Sequence, residues 1–230
     1  SSAFSRAMGF DMQTLEGKRA LKDILTELAE SLDVPYIHLG TDETDFTDKL
    51  FVPEMVEHVR SLGKKAIAWN PGWPFKSKEV DLLHLWSSKG RIVYGTPAID
   101  SRYHYLNHYD LFADIQMLYS SKILGVTASN TNVMGAILAV WNDRYVESPR
   151  TIMQENAVYP NMLALAERAW LGGGAGYFNA PTAALSPEAS PETREAFVDF
   201  ERRLLWHKDR VFAGEPFPYV AQSHAQWYIS

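Results

Sequence analysis

Short apolar runs and helical stripes take turns along this chain, and that alternation limits the folds open to it. Residues 16–32 carry Leu21, Ile24, Leu25, Leu28 and Leu32 at helical spacing. Residues 34–39 follow as a β-branched and aromatic run, a buried strand by its pattern, which stops at Gly40. A second helix presents Val52, Met55, Val56, Val59 and Leu62 on one face, with Pro53 suited to its first turn and Gly63 to its C-terminal cap. Further strands are expected at 65–70, 80–86, 91–96 and 135–141, and a long polar, aromatic loop at 97–110. A helix over 156–170 should turn Val158, Met162, Leu165 and Ala169 inward. Strands alternating with helices imply parallel βα units, closed as a barrel or opened as a doubly wound sheet. No glycine-rich phosphate loop follows any of the strands, which lowers the nucleotide-binding readings.

After Gly172, Gly173 and Gly174 the pattern changes. A Pro/Ala/Ser-rich link runs over 179–191, and Ser190 before Pro191 is a helix-start signal. The helix it opens, to about Val211, holds Phe197, Phe200, Leu204, Lys208 and Val211 in register on a weaker stripe. It reads as peripheral. The expected organisation is therefore a main α/β domain over 1–178 and a linker with a C-terminal helical extension over 179–230.

At 230 residues and 46% hydrophobic content the chain can bury one large core. A net charge of −6 argues against nucleic acid and anionic membrane as partners, since both require a basic face. No apolar run approaches the ~20 residues of a membrane span. With no cysteine, disulfides and thiolate metal sites are excluded. Seven tryptophans are many for this length, and serve either as core filling or as stacked walls of a binding site.

The chemistry concentrates at 34–45. Asp42 and Glu43 are adjacent carboxylates where a buried strand gives way to its loop, with His38 just upstream. Parallel α/β proteins keep their reactive groups at such carboxyl ends of strands. Taken alone, an Asp-Glu pair is more often a pair of solvated loop acids. Neighbouring side chains on an extended strand also point opposite ways, so both acids can serve one site only if the chain has begun to curl at Gly40.

The ordered motifs resemble one family. His38-x-Gly40-x-Asp42-Glu43 is similar to the strand-four signature of β-N-acetylhexosaminidases, glycoside hydrolase family twenty. Trp69 after the next strand, Trp86 after the one following, Tyr105-Leu106-Asn107, Trp141-Asn142-Asp143 and the segment Ala164-Leu165-Ala166-Glu167-Arg168-Ala169-Trp170 extend the resemblance over roughly residues 3–178. It implies a (β/α)8 barrel of the TIM type, here an incomplete one that lacks the first three βα units. It also implies that the chain is a piece of a longer protein whose upstream barrel segment is absent, and that the protein is periplasmic or secreted.

By the same resemblance the substrate is a glycan ending in N-acetylhexosamine, GlcNAc or GalNAc, and neither metal nor organic cofactor is required. Glu43 would be the general acid and then the base. Asp42 would orient the acetamido group of the substrate. Tyr105 would hydrogen-bond the acetamido oxygen, Trp69, Trp86 and Trp141 would wall the sugar, and Asn107 and Asp143 would meet its hydroxyls. Many relatives have Asp where Asn107 stands, relatives use a Glu where Asp143 stands, and the tryptophan that usually lies between strands seven and eight has no clear counterpart here.

Each of these residues has a plainer role open to it. The tryptophans can close the core, Tyr105 can pack on a rim, Asp143 can cap the turn before Pro149, and His38 can be a buried orienting group. Two other functions also remain open at this stage. One is a non-catalytic carbohydrate-binding or structural piece. The other is a metal site built from His38, Asp42, Glu43 and Asp45, although barrel metal sites usually draw ligands from several strands.

Overall fold

A computed structural model of the chain describes residues 11–106, 114–126, 132–141, 147–175 and 184–223. The chain forms two compact units, Ser1–Tyr103 and His104–Ser230.

In the first unit, helix α1 (Leu15–Ser31) begins where the Thr14 hydroxyl accepts the Gly17 N–H at 3.0 Å. It leads to strand β1 (Tyr36–His38), helix α2 (Phe51–Ser61), and strands β2 (Lys65–Asn70), β3 (Leu82–Leu85) and β4 (Ala98–Asp100). All are parallel, in the order β1-β2-β3-β4, with Ile37 opposite Ala66, Trp69 opposite His84 and Leu83 opposite Ala98. One face of this sheet is dry. Ala66, Ala68, Leu83, Leu85 and Ala98 are fully buried on it, and Val52, Met55, Val56 and Val59 make the buried stripe of α2. Gly63, with φ +75°, ends α2 as its sequence position predicts.

Two expectations for this unit change. The stripe of α1 is largely uncovered: Leu25 is buried, while Ile24 is 53%, Leu28 41% and Leu32 49% exposed. What ties α1 to α2 is polar, with Lys18 and Lys22 each on Glu54 at 2.9 and 2.6 Å and Thr26 on His58 at 3.0 Å. The strand expected at 91–96 is instead a turn, and β4 lies inside the stretch expected to be loop. Gly95 adopts φ +81°, the Thr96 N–H closes on Val93 O, and pairing resumes where Leu83 N–H donates to Pro97 O. A left-handed glycine followed by proline prevents the apolar run Ile92-Val93-Tyr94 from continuing as a strand.

In the second unit come α3 (Ile115–Ser120), a 3-10 turn (Ile123–Gly125), β5 (Val133–Ala136), α4 (Pro149–Glu155), α5 (Val158–Leu171) and α6 (Pro191–Arg210). The fifth strand is shorter and less buried than its sequence suggests. Gly135, at φ +131°, bends the run, and among the described residues Ala139 then forms an isolated bridge with Tyr105. Helix α5 starts at Val158 because Ala157 is left-handed, and it buries Pro160, Asn161, Ala164 and Leu165 while Met162 and Ala169 face water. The expected peripheral helix α6, capped by Ser190 as predicted, supplies the centre of this unit's core. Phe197, Phe200 and Leu204 are at most 3% exposed, and Tyr119 packs against both phenylalanines at 5.2 and 4.9 Å.

Candidate active site

Asp42 and Glu43 occupy the turn that leaves the carboxyl end of β1. The backbone there is tightly curled: Gly40, Thr41 and Glu43 have φ of +79°, +88° and +44°. Two of the three carry side chains that disfavour this region, so surrounding contacts must hold the turn. They do so from β2. The Trp69 N–H donates to Gly40 O at 2.7 Å, and the Thr41 hydroxyl donates to Trp69 O at 3.3 Å. The chain is thus curled from Gly40 to Glu43 as it leaves the strand. Asp42 is half-buried and Glu43 exposed.

Below the turn lies an aromatic and imidazole cluster. The ring of Trp69 lies 4.5 Å from that of His38 and 4.1 Å from that of His84. His38 Nδ1 accepts the Gly40 N–H at 3.0 Å, His38 Nε2 lies 3.3 Å from His84 Nδ1, and His84 Nε2 lies 2.8 Å from Ser101 Oγ. Loss of solvent lowers both histidines to about 4. The charge of Asp42 pulls His38 the other way, while His38 lowers and Asp100 raises His84. His84 and Ser101 are buried, but His38, expected to be buried, keeps an exposed edge because β1 is the outer strand of the four.

Trp86, half-buried at the end of β3, donates its indole N–H to Pro71 O at 2.7 Å. Asn70 Oδ1 accepts the Arg91 N–H at 2.9 Å, so the loops after β2 and β3 are tied together. At the end of β4, Asp100 is buried and holds Arg102 through Nε at 2.9 Å and Nη2 at 3.1 Å.

The second unit contains Tyr105 and Trp141, whose rings are nearly parallel at 7° with centroids 6.5 Å apart. Trp141 is 51% exposed, so it does not close a core. Asn107 and Asp143 lie outside the described residues. Among the described residues no group of three or more His, Asp or Glu side chains is disposed to hold a metal, and no helix is long and apolar enough to cross a membrane.

Sequence reasoning reads the Pro71-Gly72 turn after the second strand but assigns no part in the site to His84, Ser101, Thr41 or Gly72. His84 had a usable signal, since it stands two residues before Trp86 and strand alternation puts the pair on one face. The other three are recognisable only from contacts made across the sheet.

Neither protein-family models nor curated proteins match the sequence. Solved structures do match the fold. An inactive variant of the GH20 exo-β-N-acetylglucosaminidase of Vibrio harveyi superposes with TM-score 0.62 at 16% identity, over 90% of this chain and 36% of that one. The chain is similar in fold to part of that enzyme. A variant β-hexosaminidase of Streptomyces plicatus in complex with its product GlcNAc matches with TM-score 0.61 at 18% identity, over 93% and 44% of the two chains. The GH20 β-N-acetylhexosaminidase of Streptomyces coelicolor matches with TM-score 0.61 at 17% identity, over 93% and 45%. The chain spans less than half the length of each of these hexosaminidases.

Proposed function

We propose that the chain is the part of a glycoside hydrolase that carries the acid pair for removing terminal N-acetylhexosamine from glycans. The observation that carries this reading is the curled turn after β1, which takes two adjacent carboxylates off a parallel strand in a chain with the hexosaminidase fold. In the reading, the substrate's acetamido oxygen attacks its own anomeric carbon while Glu43 gives a proton to the departing glycosidic oxygen. The carbon–oxygen bond to the aglycone breaks as the oxazolinium ring closes. Water then adds to the anomeric carbon, Glu43 takes the proton, and the ring reopens with configuration retained. Asp42 stabilises the positive charge that develops on the acetamido nitrogen.

The roles that the resemblance assigns to Trp69, Trp86, Tyr105, Asn107, Trp141 and Asp143 belong to the same proposal, as does secretion or export to the periplasm. So does completion of a (β/α)8 barrel by further βα units. The uncovered Ile24, Leu28 and Leu32 of α1, beside a β1 that pairs only with β2 among the described residues, support packing of such units there.

The test is hydrolysis of a chromogenic N-acetylglucosaminide by a polypeptide containing this chain. Release of chromophore that disappears in Glu43→Gln supports the reading. Binding of an oxazoline mimic without turnover would favour a non-catalytic carbohydrate-binding role instead.

A further inference from the structure

Four groups beneath the acidic turn have hydrogen-bonding capacities that admit one arrangement of protons. The Gly40 N–H can only donate, so His38 Nδ1, 3.0 Å away, must be bare. A neutral ring then carries its proton on Nε2, which faces His84 Nδ1 at 3.3 Å. That atom must accept, so the proton of His84 lies on Nε2, which donates to Ser101 Oγ at 2.8 Å. The chain of donors runs one way, from the peptide of Gly40 through His38 and His84 to a fully buried serine. It begins just after β1, passes beside the ring of Trp69 on β2 and His84 on β3, and reaches Ser101 just after β4.

We propose that His84 is a positioning residue for the acidic turn: through the ring of His38 it holds the Gly40 peptide, and with it Asp42, in one orientation. A proton added to either ring turns an acceptor into a donor. On His38 it would face the Gly40 N–H; on His84 it would face the His38 Nε2–H. Either opposition releases the turn. Among the described residues, the charge of Asp42 acts on His38 and that of Asp100, engaged by Arg102, acts on His84, while Trp69 between them is neutral. The relay's effect on catalysis rests on the hydrolase reading above; the relay itself does not.

Imidazole nitrogen NMR of the whole chain tests it, with His38 and His84 assigned by substitution. At neutral pH both rings should be single Nε2–H tautomers. His84→Gln, whose amide can accept from His38 and donate to Ser101, should leave His38 in that state. His84→Leu should spread His38 over both tautomers and shift the Gly40 amide resonance. If His84→Leu does not fold, Ser101→Ala removes the hydroxyl that His84 Nε2 faces and should spread the His84 tautomers. Finding His38 protonated on Nδ1 or unmoved by loss of the His84 ring, or His84 unmoved by loss of the Ser101 hydroxyl, would overturn the proposal. In a hydrolytically active polypeptide, His84→Leu should lower kcat by about ten- to a hundred-fold, more than it raises KM, and His84→Gln should restore most of it. An inactive protein with the expected tautomers sinks the hydrolase reading alone; an active one with mixed tautomers sinks the relay alone.

Discussion

The carbonyl oxygen of Thr41 and the α-carbon of Gly72 approach so closely that a β-carbon on Gly72 would lie 2.5 Å from that oxygen. The turn bearing Asp42 and Glu43 is thereby seated on the loop after β2, and only a residue without a side chain permits the seating. Both contacting atoms belong to the backbone, so neither can swing aside. Gly72→Ala is expected to destabilise the fold by about 1–3 kcal/mol and to lower hydrolysis further than that loss of folded protein explains. Denaturant melts paired with kcat measurements check both.

Glu43 holds a left-handed backbone at φ +44°, which costs a residue with a β-carbon about 1 kcal/mol relative to glycine. Glu43→Gly should therefore raise thermal stability while abolishing turnover. Glu43→Gln should cut kcat by about 10²–10⁴-fold and move stability by less than about 0.5 kcal/mol, because the side chain is exposed. A loss of activity that merely follows a loss of fold would contradict the assigned role.

Acid should destabilise the first unit in the window set by its histidines. His38 and His84 titrate near 4 in the folded chain, below their ordinary 6.5. Between those values the unfolded chain binds protons that the folded chain refuses, so stability falls as pH drops from about 6.5 towards 4. For buried His84 the loss is on the order of 2–3 kcal/mol. For exposed-edged His38 it is smaller. Melting curves of wild type and His84→Gln should lie close together at neutral pH and separate towards 4, where the wild type loses stability that the non-titrating glutamine keeps.

The second unit has its own acid-sensitive joint. Glu201, 1% exposed on α6, accepts from the Tyr219 hydroxyl at 2.5 Å, the Gln222 N–H at 2.5 Å, and the Ser223 N–H and hydroxyl. Burial alone would raise its pKa, but these donors outweigh burial and hold it below the ordinary carboxylate range. Its contribution is present above the unfolded value and disappears as pH falls through the folded one. Glu201→Gln, which presents an NH2 to a ring of donors, should cost about 2–4 kcal/mol. Faster proteolysis of the segment after Phe217 would report the same release.

Trp141→Ala discriminates a sugar wall from a structural plug. With half its surface in water and its ring parallel to Tyr105, Trp141 should yield little stability, about 1 kcal/mol or less. A raised KM with an almost unchanged Tm is expected. A large fall in Tm would assign it to packing instead.

Much of this architecture is legible residue by residue. Gly63 ends α2 and Ser190-Pro191 opens α6 because caps depend on atoms a few positions apart. The apolar stripe of α2 and the strand at 65–70 read correctly because both of their contexts are local and periodic. The strand at 91–96 misread because Ile92, Val93 and Tyr94 have strand propensity, whereas Gly95 and Pro97 impose a turn that propensity does not weigh. Helix α1 misread in burial, since periodicity records an apolar face without recording what covers it.

By itself the sequence determined the mix of helices and strands, the helix caps, and the placement of two carboxylates after a strand that ends in glycine. Those properties arise between neighbours along the chain. Only the tertiary structure decided that α6 is core, that the acidic turn rests on Gly72, and that His38 meets His84, 46 residues away, in a chain of hydrogen bonds ending at Ser101. Those depend on strand register and on directional proton placement, which become defined when the sheet pairs.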